Sequence, residues 1–99
     1  MAYRSADVSG HDIHIKRFGR VASVEVVWSK EDLTANVSKE LANVIPDWAK
    51  PMVSYEVAMM TNGAEIIGYF LVGQSGKITF KPTKSTTYVE GAVMYMCEE

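Results

Sequence analysis

Apolar and polar residues alternate with period two through most of this chain. In Val21 to Trp28, Ala22, Val24, Val26 and Trp28 share one side, and Ser23 and Glu25 take the other. That is the pattern of a half-buried strand, rich in the β-branched residues that suit a pleated surface. The preceding "DIHIKRFG" sets Ile13 and Ile15 against His14 and Lys16, with Gly19-Arg20 as the turn into the next strand. Asn62-Gly63, flanked by apolar runs, predicts a two-residue hairpin in which Thr61 pairs with Ala64. Its core face then carries Val53, Tyr55, Val57 and Met59 with Ile66, Gly68, Phe70 and Val72. The opposite face carries Met60, Ile67, Tyr69 and Leu71. "GQSG" (73–76) reads as a turn, "KITFKP" as a strand stopped by Pro82, and "YVEGAVMYM" (88–96) as a last strand.

That last strand is apolar on both sides, with Tyr88, Ala92, Met94 and Met96 opposite Val89, Val93 and Tyr95. Strands of this kind are covered on both faces. So short a chain has little left for the second cover, so another copy of the chain is the economical candidate. Met60, Ile67, Tyr69, Leu71 and Met94 are the expected oligomer interface. The alternative is that these side chains are tolerated singly at the surface.

One segment resists the β pattern. In Ser29 to Val44, Leu33, Val37, Leu41 and Val44 recur at helical spacing, with Ser29 as a cap and Glu31 and Asp32 in the first turn. Periodicity alone predicts a helix. The all-strand surroundings, and the resemblance given below, favour an irregular loop followed by a strand over 39–44, and β is the expectation adopted.

Composition narrows the function classes. Ninety-nine residues make a single domain, with residues 1–12 as a lead-in and 13–99 as the β unit. A formal net charge of -2 with scattered basic residues gives no electrostatic case for nucleic acid. No stretch has the length of a membrane-spanning helix, and the first dozen residues lack the apolar run of a signal peptide. The single cysteine, Cys97, allows neither an internal disulfide nor a cysteine-based zinc site. His11 and His14 have a helical ligand spacing, but on a strand they point to opposite faces. "GQSG" is one residue short of a nucleophile elbow and lacks the strand-turn-helix setting that an elbow needs. The carboxylates show no paired spacing of the glycosidase type. No catalytic residue, cofactor or metal is expected, and the chain is not read as an enzyme.

"KRFGRVASVEVVW", "ANVIPDWAKPM", "LVGQSGKITF" and "TTYVEGAVMYMCEE" follow one another in an order that resembles the C-terminal receptor-binding head domains of tail-fibre and baseplate proteins from tailed phages and prophages of Gram-positive bacteria. The resemblance spans about 85 residues from Ile13 onward. The family's recurrent turn is alanine-x-leucine-proline-x-x-aromatic-x-proline, and Ile45 stands here where leucine is usual. The resemblance implies an antiparallel β-sandwich or jelly-roll-like β-barrel, a homotrimer, at the host-facing end of a virion tail and preceded by a shaft. It implies binding of a bacterial surface glycan without chemistry, next to other tail or baseplate proteins. The alternative is a purely structural trimerisation or connector module. The family's receptor residues form no fixed motif, so none is carried over. From the residues themselves, Trp48 with Asp47 and Lys50 is the loop segment with the make-up of a saccharide contact, an aromatic platform beside polar groups. The two prolines around it, Pro46 and Pro51, also make it a stiffened corner, and that is the stronger of the two readings.

Overall fold

Three polar-apolar strands that pair in sequence order, β1 (Tyr3–Asp7), β2 (Ile13–Phe18) and β3 (Val21–Leu33), open the computed structural model, which describes residues 3–61 and 65–97. They are followed by β4 (Lys39–Leu41), a single 3-10 turn at Asp47–Ala49, β5 (Tyr55–Thr61), β6 (Glu65–Val72), β7 (Ile78–Pro82) and β8 (Thr86–Met96). All pairings are antiparallel, and the order β1-β2-β3-β8-β5-β6-β7-β4 forms one curled sheet. The chain is all-β, as the alternation predicted. The last strand is central: β8 pairs with β3 along most of its length and touches β5 through Met60 and Glu90.

Curling places the inner faces of both halves against each other. Ile13, Ile15, Val24, Met59, Ile67, Phe70, Phe80 and Val89 are essentially inaccessible and form one cluster. Burying each such side chain contributes about 1.5–3 kcal/mol.

The segment 29–44 is not helical. Leu33 ends β3 and is buried, Val37 lies in an exposed turn, and Leu41 is half-buried in the three-residue β4, shorter than the expected strand over 39–44. Its helical spacing is therefore shared among a strand end, a turn and an edge strand. Positive φ at Asn36 and Asn43 marks the turns before and after β4, a conformation asparagine tolerates better than most residues.

Two bulges interrupt the pairing of β3 with β8. Between Val26 and Ser29, β3 spends two residues where β8 spends one, and the same happens between Lys30 and Leu33. The first bulge inverts the alternation. Trp28, expected beside Val26, is instead turned out to 40% exposure, and Ser29 and Glu31 are turned inward to complete burial. Trp28 and Asp32 hold φ of 51° and 53° at the two bulges. For a bulky residue that conformation costs about 1–2 kcal/mol. A near-parallel stack of Trp28 on Tyr88, 5.5 Å between centroids and 8° between planes, returns about 0.5–1.5 kcal/mol. The stack and the strain are of about the same size.

A third bulge corrects the hairpin. Thr61 pairs with Glu65, not Ala64, and the register shifts again between Met59 and Met60, so that Met59 faces Gly68. The predicted faces hold from Tyr55 to Met59 and from Gly68 to Val72, but the two isoleucines exchange places. Ile67 is 1% exposed and Ile66 64%. The Asn62-Gly63 turn itself lies outside the described residues.

Candidate functional site

Pro46 and Pro51 bracket the 3-10 turn, and the turn is fastened from three sides. Within it, Ala49 N–H donates to the Pro46 carbonyl at 2.9 Å. From β2, Arg17 donates Nη1–H to the Trp48 carbonyl and Nε–H to the Gly19 carbonyl, each at 2.6 Å. From β8, the Tyr95 hydroxyl donates to the Ala49 carbonyl at 2.6 Å. The "GQSG" turn packs below, its Gly76 carbonyl accepting the N–H groups of Val44 and Ile45. At φ of +91° Gly76 approaches so closely that a Cβ there would lie 2.9 Å from both the Ile45 carbonyl oxygen and Lys50 Cε. The corner is architecture, as its prolines suggested.

It also lines a cleft. Trp48 is half-buried against the core, with the Arg4 guanidinium 5.8 Å from its ring centroid. Trp48, Asp47 and Lys50, the three expected contact residues, line one hollow of about 630 Å³ together with Arg17, Pro51, Met52 and Gln74. Trp48 and Arg17 also line an adjoining smaller hollow with Arg4 and Gly19. Lys50 Nζ bonds the Asp47 carboxylate at 2.7 Å; that hydrogen bond and the lysine charge hold the Asp47 carboxyl below its ordinary range. Gln74 Nε2 donates to the Met52 carbonyl. Chemically this is an aromatic wall with a mostly cationic polar rim. Arg4, Arg17 and Gln74 come from β1, β2 and the "GQSG" turn, and no local sequence signal pairs them with Trp48.

Burial pushes the Tyr95 phenol well above its ordinary range, with the neighbouring Cys97 adding to it. Burial likewise raises the Cys97 thiol, against the lowering influence of Arg17. Both groups hold their protons more tightly folded than unfolded. Their stabilisation is intact below the unfolded values and is lost as pH rises past them. Stability is therefore expected to fall above about pH 9–10, by up to ~1.4 kcal/mol per pH unit for each group. Urea midpoints measured across that range should decline, and Tyr95→Phe should flatten most of the decline, leaving the part due to Cys97.

The expected oligomer residues do not share one surface. Ile67 is removed from it altogether, because the β6 bulge turns it into the core. Tyr69 is exposed beneath the Lys81 ammonium, and Met60 and Leu71 are half-buried. Met94, 71% exposed, stands on β8 opposite Ser23 of β3, on the other half of the sheet. Around Met94 the register builds a different row. Tyr3 faces Phe18, Phe18 faces Val21, and Val21 faces Met96, all four exposed, across four adjacent strands. Tyr3 falls in the segment read as a lead-in, and Phe18 and Val21 flank a turn. Only the pairing brings the row together.

The two histidines part company. His14 Nδ1 lies 2.6 Å from the exposed Asp7 carboxylate, whereas His11 Nδ1 lies 2.7 Å from buried Glu31. Among the described residues no three or more histidine, cysteine, aspartate or glutamate side chains are placed to hold a metal ion.

No protein-family model matches the chain, and no curated protein matches it.

Proposed function

We propose that this domain is a non-enzymatic recognition head of a phage or prophage tail or baseplate, and that it binds a bacterial surface saccharide in the Trp48 cleft. The observation that carries the reading is convergence. Trp48, Asp47 and Lys50 line one hollow, and Arg17 and Gln74 bring further hydrogen-bonding groups to it. An apolar wall with a few fixed polar groups is the general form of a small-ligand site. The order of strand and corner motifs from Ile13 onward supports the tail setting.

Binding of the chain to host cell-wall polysaccharides on a glycan array tests it. Trp48→Ala is expected to weaken the best binder about thirtyfold, the ~2 kcal/mol of a well-buried aromatic contact. Equal binding by the parent and the variant would remove the cleft from the reading.

The connector reading draws support from a different observation, the exposed row Tyr3, Phe18, Val21 and Met96. A sheet face of that kind suits contact between copies, with the homotrimer as the expected assembly. Under this reading arrays stay blank and light scattering gives the mass of an oligomer. Phe18→Glu then lowers that mass to a monomer's.

A further inference from the structure

At the far end of β3 from the cleft, the first bulge presents Trp28 on the outside of the sheet. Trp28 occupies a left-handed backbone position that glycine or asparagine would meet with less strain, and its stack on Tyr88 is of about the same size as that strain. What the arrangement does produce is a fixed pair of near-parallel rings, 40% and 39% exposed, with half-exposed Val27 beside them. Rotation of Tyr88 is limited by the ring against it. Its backbone is held by the Thr61 and Thr86 hydroxyls, which both donate to the Tyr88 carbonyl. Lys30 faces Tyr88 across the ladder, and Lys30 makes no ion pair among the described residues.

We infer that the Trp28–Tyr88 pair is a second saccharide platform, taking one pyranose ring of a neutral sugar by its C–H face, with Lys30 donating to a ring hydroxyl. The occupant follows from size and chemistry. Because the rings stack on each other, only their outward surfaces are open, 40% and 39% of the two residues, an area far below the ~800 Å² per partner of a stable protein interface. A rigid aromatic face beside a hydrogen-bond donor matches a ligand that is apolar on its faces and polar around its edge. The platform does not use the Trp48 cleft. Ala22 pairs with Arg17 of that cleft, and Trp28 stands six residues further along β3, roughly 20 Å at ~3.3 Å per residue. Occupation of both would make each copy of the chain bivalent toward a polysaccharide, raising avidity with no new contact.

The chain has two tryptophans, so each site can be given its own reporter. Trp48→Phe leaves Trp28 as the sole indole, and Trp28→Phe leaves Trp48. Methyl glycosides of glucose, galactose, N-acetylglucosamine and rhamnose are titrated one at a time to about 100 mM, above the millimolar constants of single-ring contacts. The expected result is a saturable change in Trp28 emission of the Trp48→Phe protein with at least one glycoside, abolished by adding Tyr88→Ala. Amide shifts of Val27, Lys30 and Tyr88 in the unsubstituted chain with the same glycoside should move together, a readout that needs no variant to fold. Unchanged Trp28 emission and unchanged shifts at these three amides with all four glycosides would overturn the platform, even if Trp48 responds. A response at Trp28 with Trp48 silent would keep the platform and count against the cleft.

Discussion

Gly68→Ala is expected to destabilise the fold by about 4 kcal/mol, combining ~1–3 kcal/mol of backbone strain with a similar cost of overpacking. Gly68 adopts φ of +132° at the β6 bulge, and a Cβ there would press into the Lys81 carbonyl oxygen and stand 2.9 Å from Pro82 Cα. These are backbone atoms of the adjacent β7, so no side chain can swing away. The loss compares with a total stability of ~5–15 kcal/mol for a domain of this kind. Urea unfolding should show a midpoint lowered by roughly a quarter to four-fifths. A companion pair tests the register directly. Ile67→Ala should cost about 2–5 kcal/mol as a buried truncation, and Ile66→Ala, at 64% exposure, close to nothing. The unbulged hairpin predicts the reverse ranking.

That reversal shows what the residue pattern carried and what it could not. Alternation identified β2, the first half of β3, β5 and β8, each with one more deeply buried face and a period of two, and Pro82 marked the end of β7. The two prolines marked the corner at Pro46–Pro51, and three of the cleft residues were legible together because they are neighbours in sequence. Alternation failed where an extra residue enters one strand. Bulges are set by pairing with a distant strand, so local alternation puts Trp28 and the two isoleucines on the wrong faces. The same limit hid Arg17 and Gln74 from the cleft, Arg4 from the adjoining hollow, and Tyr3, Phe18, Val21 and Met96 from one another. The helical spacing over 33–44 forms no helix, in line with the β expectation adopted, because the apolar residues there serve three different elements.

Lys39→Met is expected to cost about 3 kcal/mol, while Glu31→Met costs less than about 1 kcal/mol and rescues it in combination. Glu31 is 0% exposed because the first β3 bulge turns it inward. Its Oε2 accepts from the Ser29 hydroxyl at 2.6 Å and lies 2.7 Å from His11 Nδ1. Among the described residues its Oε1 has no hydrogen-bond partner, only the charge of Lys39 Nζ at 3.3 Å. That ammonium instead donates to the Glu31 backbone carbonyl at 2.6 Å. Losing the lysine strands a buried carboxylate, and such losses cost about 3–5 kcal/mol. The lower figure applies because Lys39 is 39% exposed and water reaches its site. Methionine at position 31 removes the charge that needed compensation while keeping similar volume, so the desolvation it relieves offsets the hydrogen bonds it loses. Ser29 Oγ still accepts the Asp12 N–H. The cluster joins the loop after β1, the bulged end of β3 and the edge strand β4, so chemical unfolding reports on it globally, and amide exchange at Lys39–Leu41 reports on it locally. A Glu31→Met protein as unstable as Lys39→Met, with no rescue in the double variant, would mean that the carboxylate is a net contributor and the pair is not a liability held in balance.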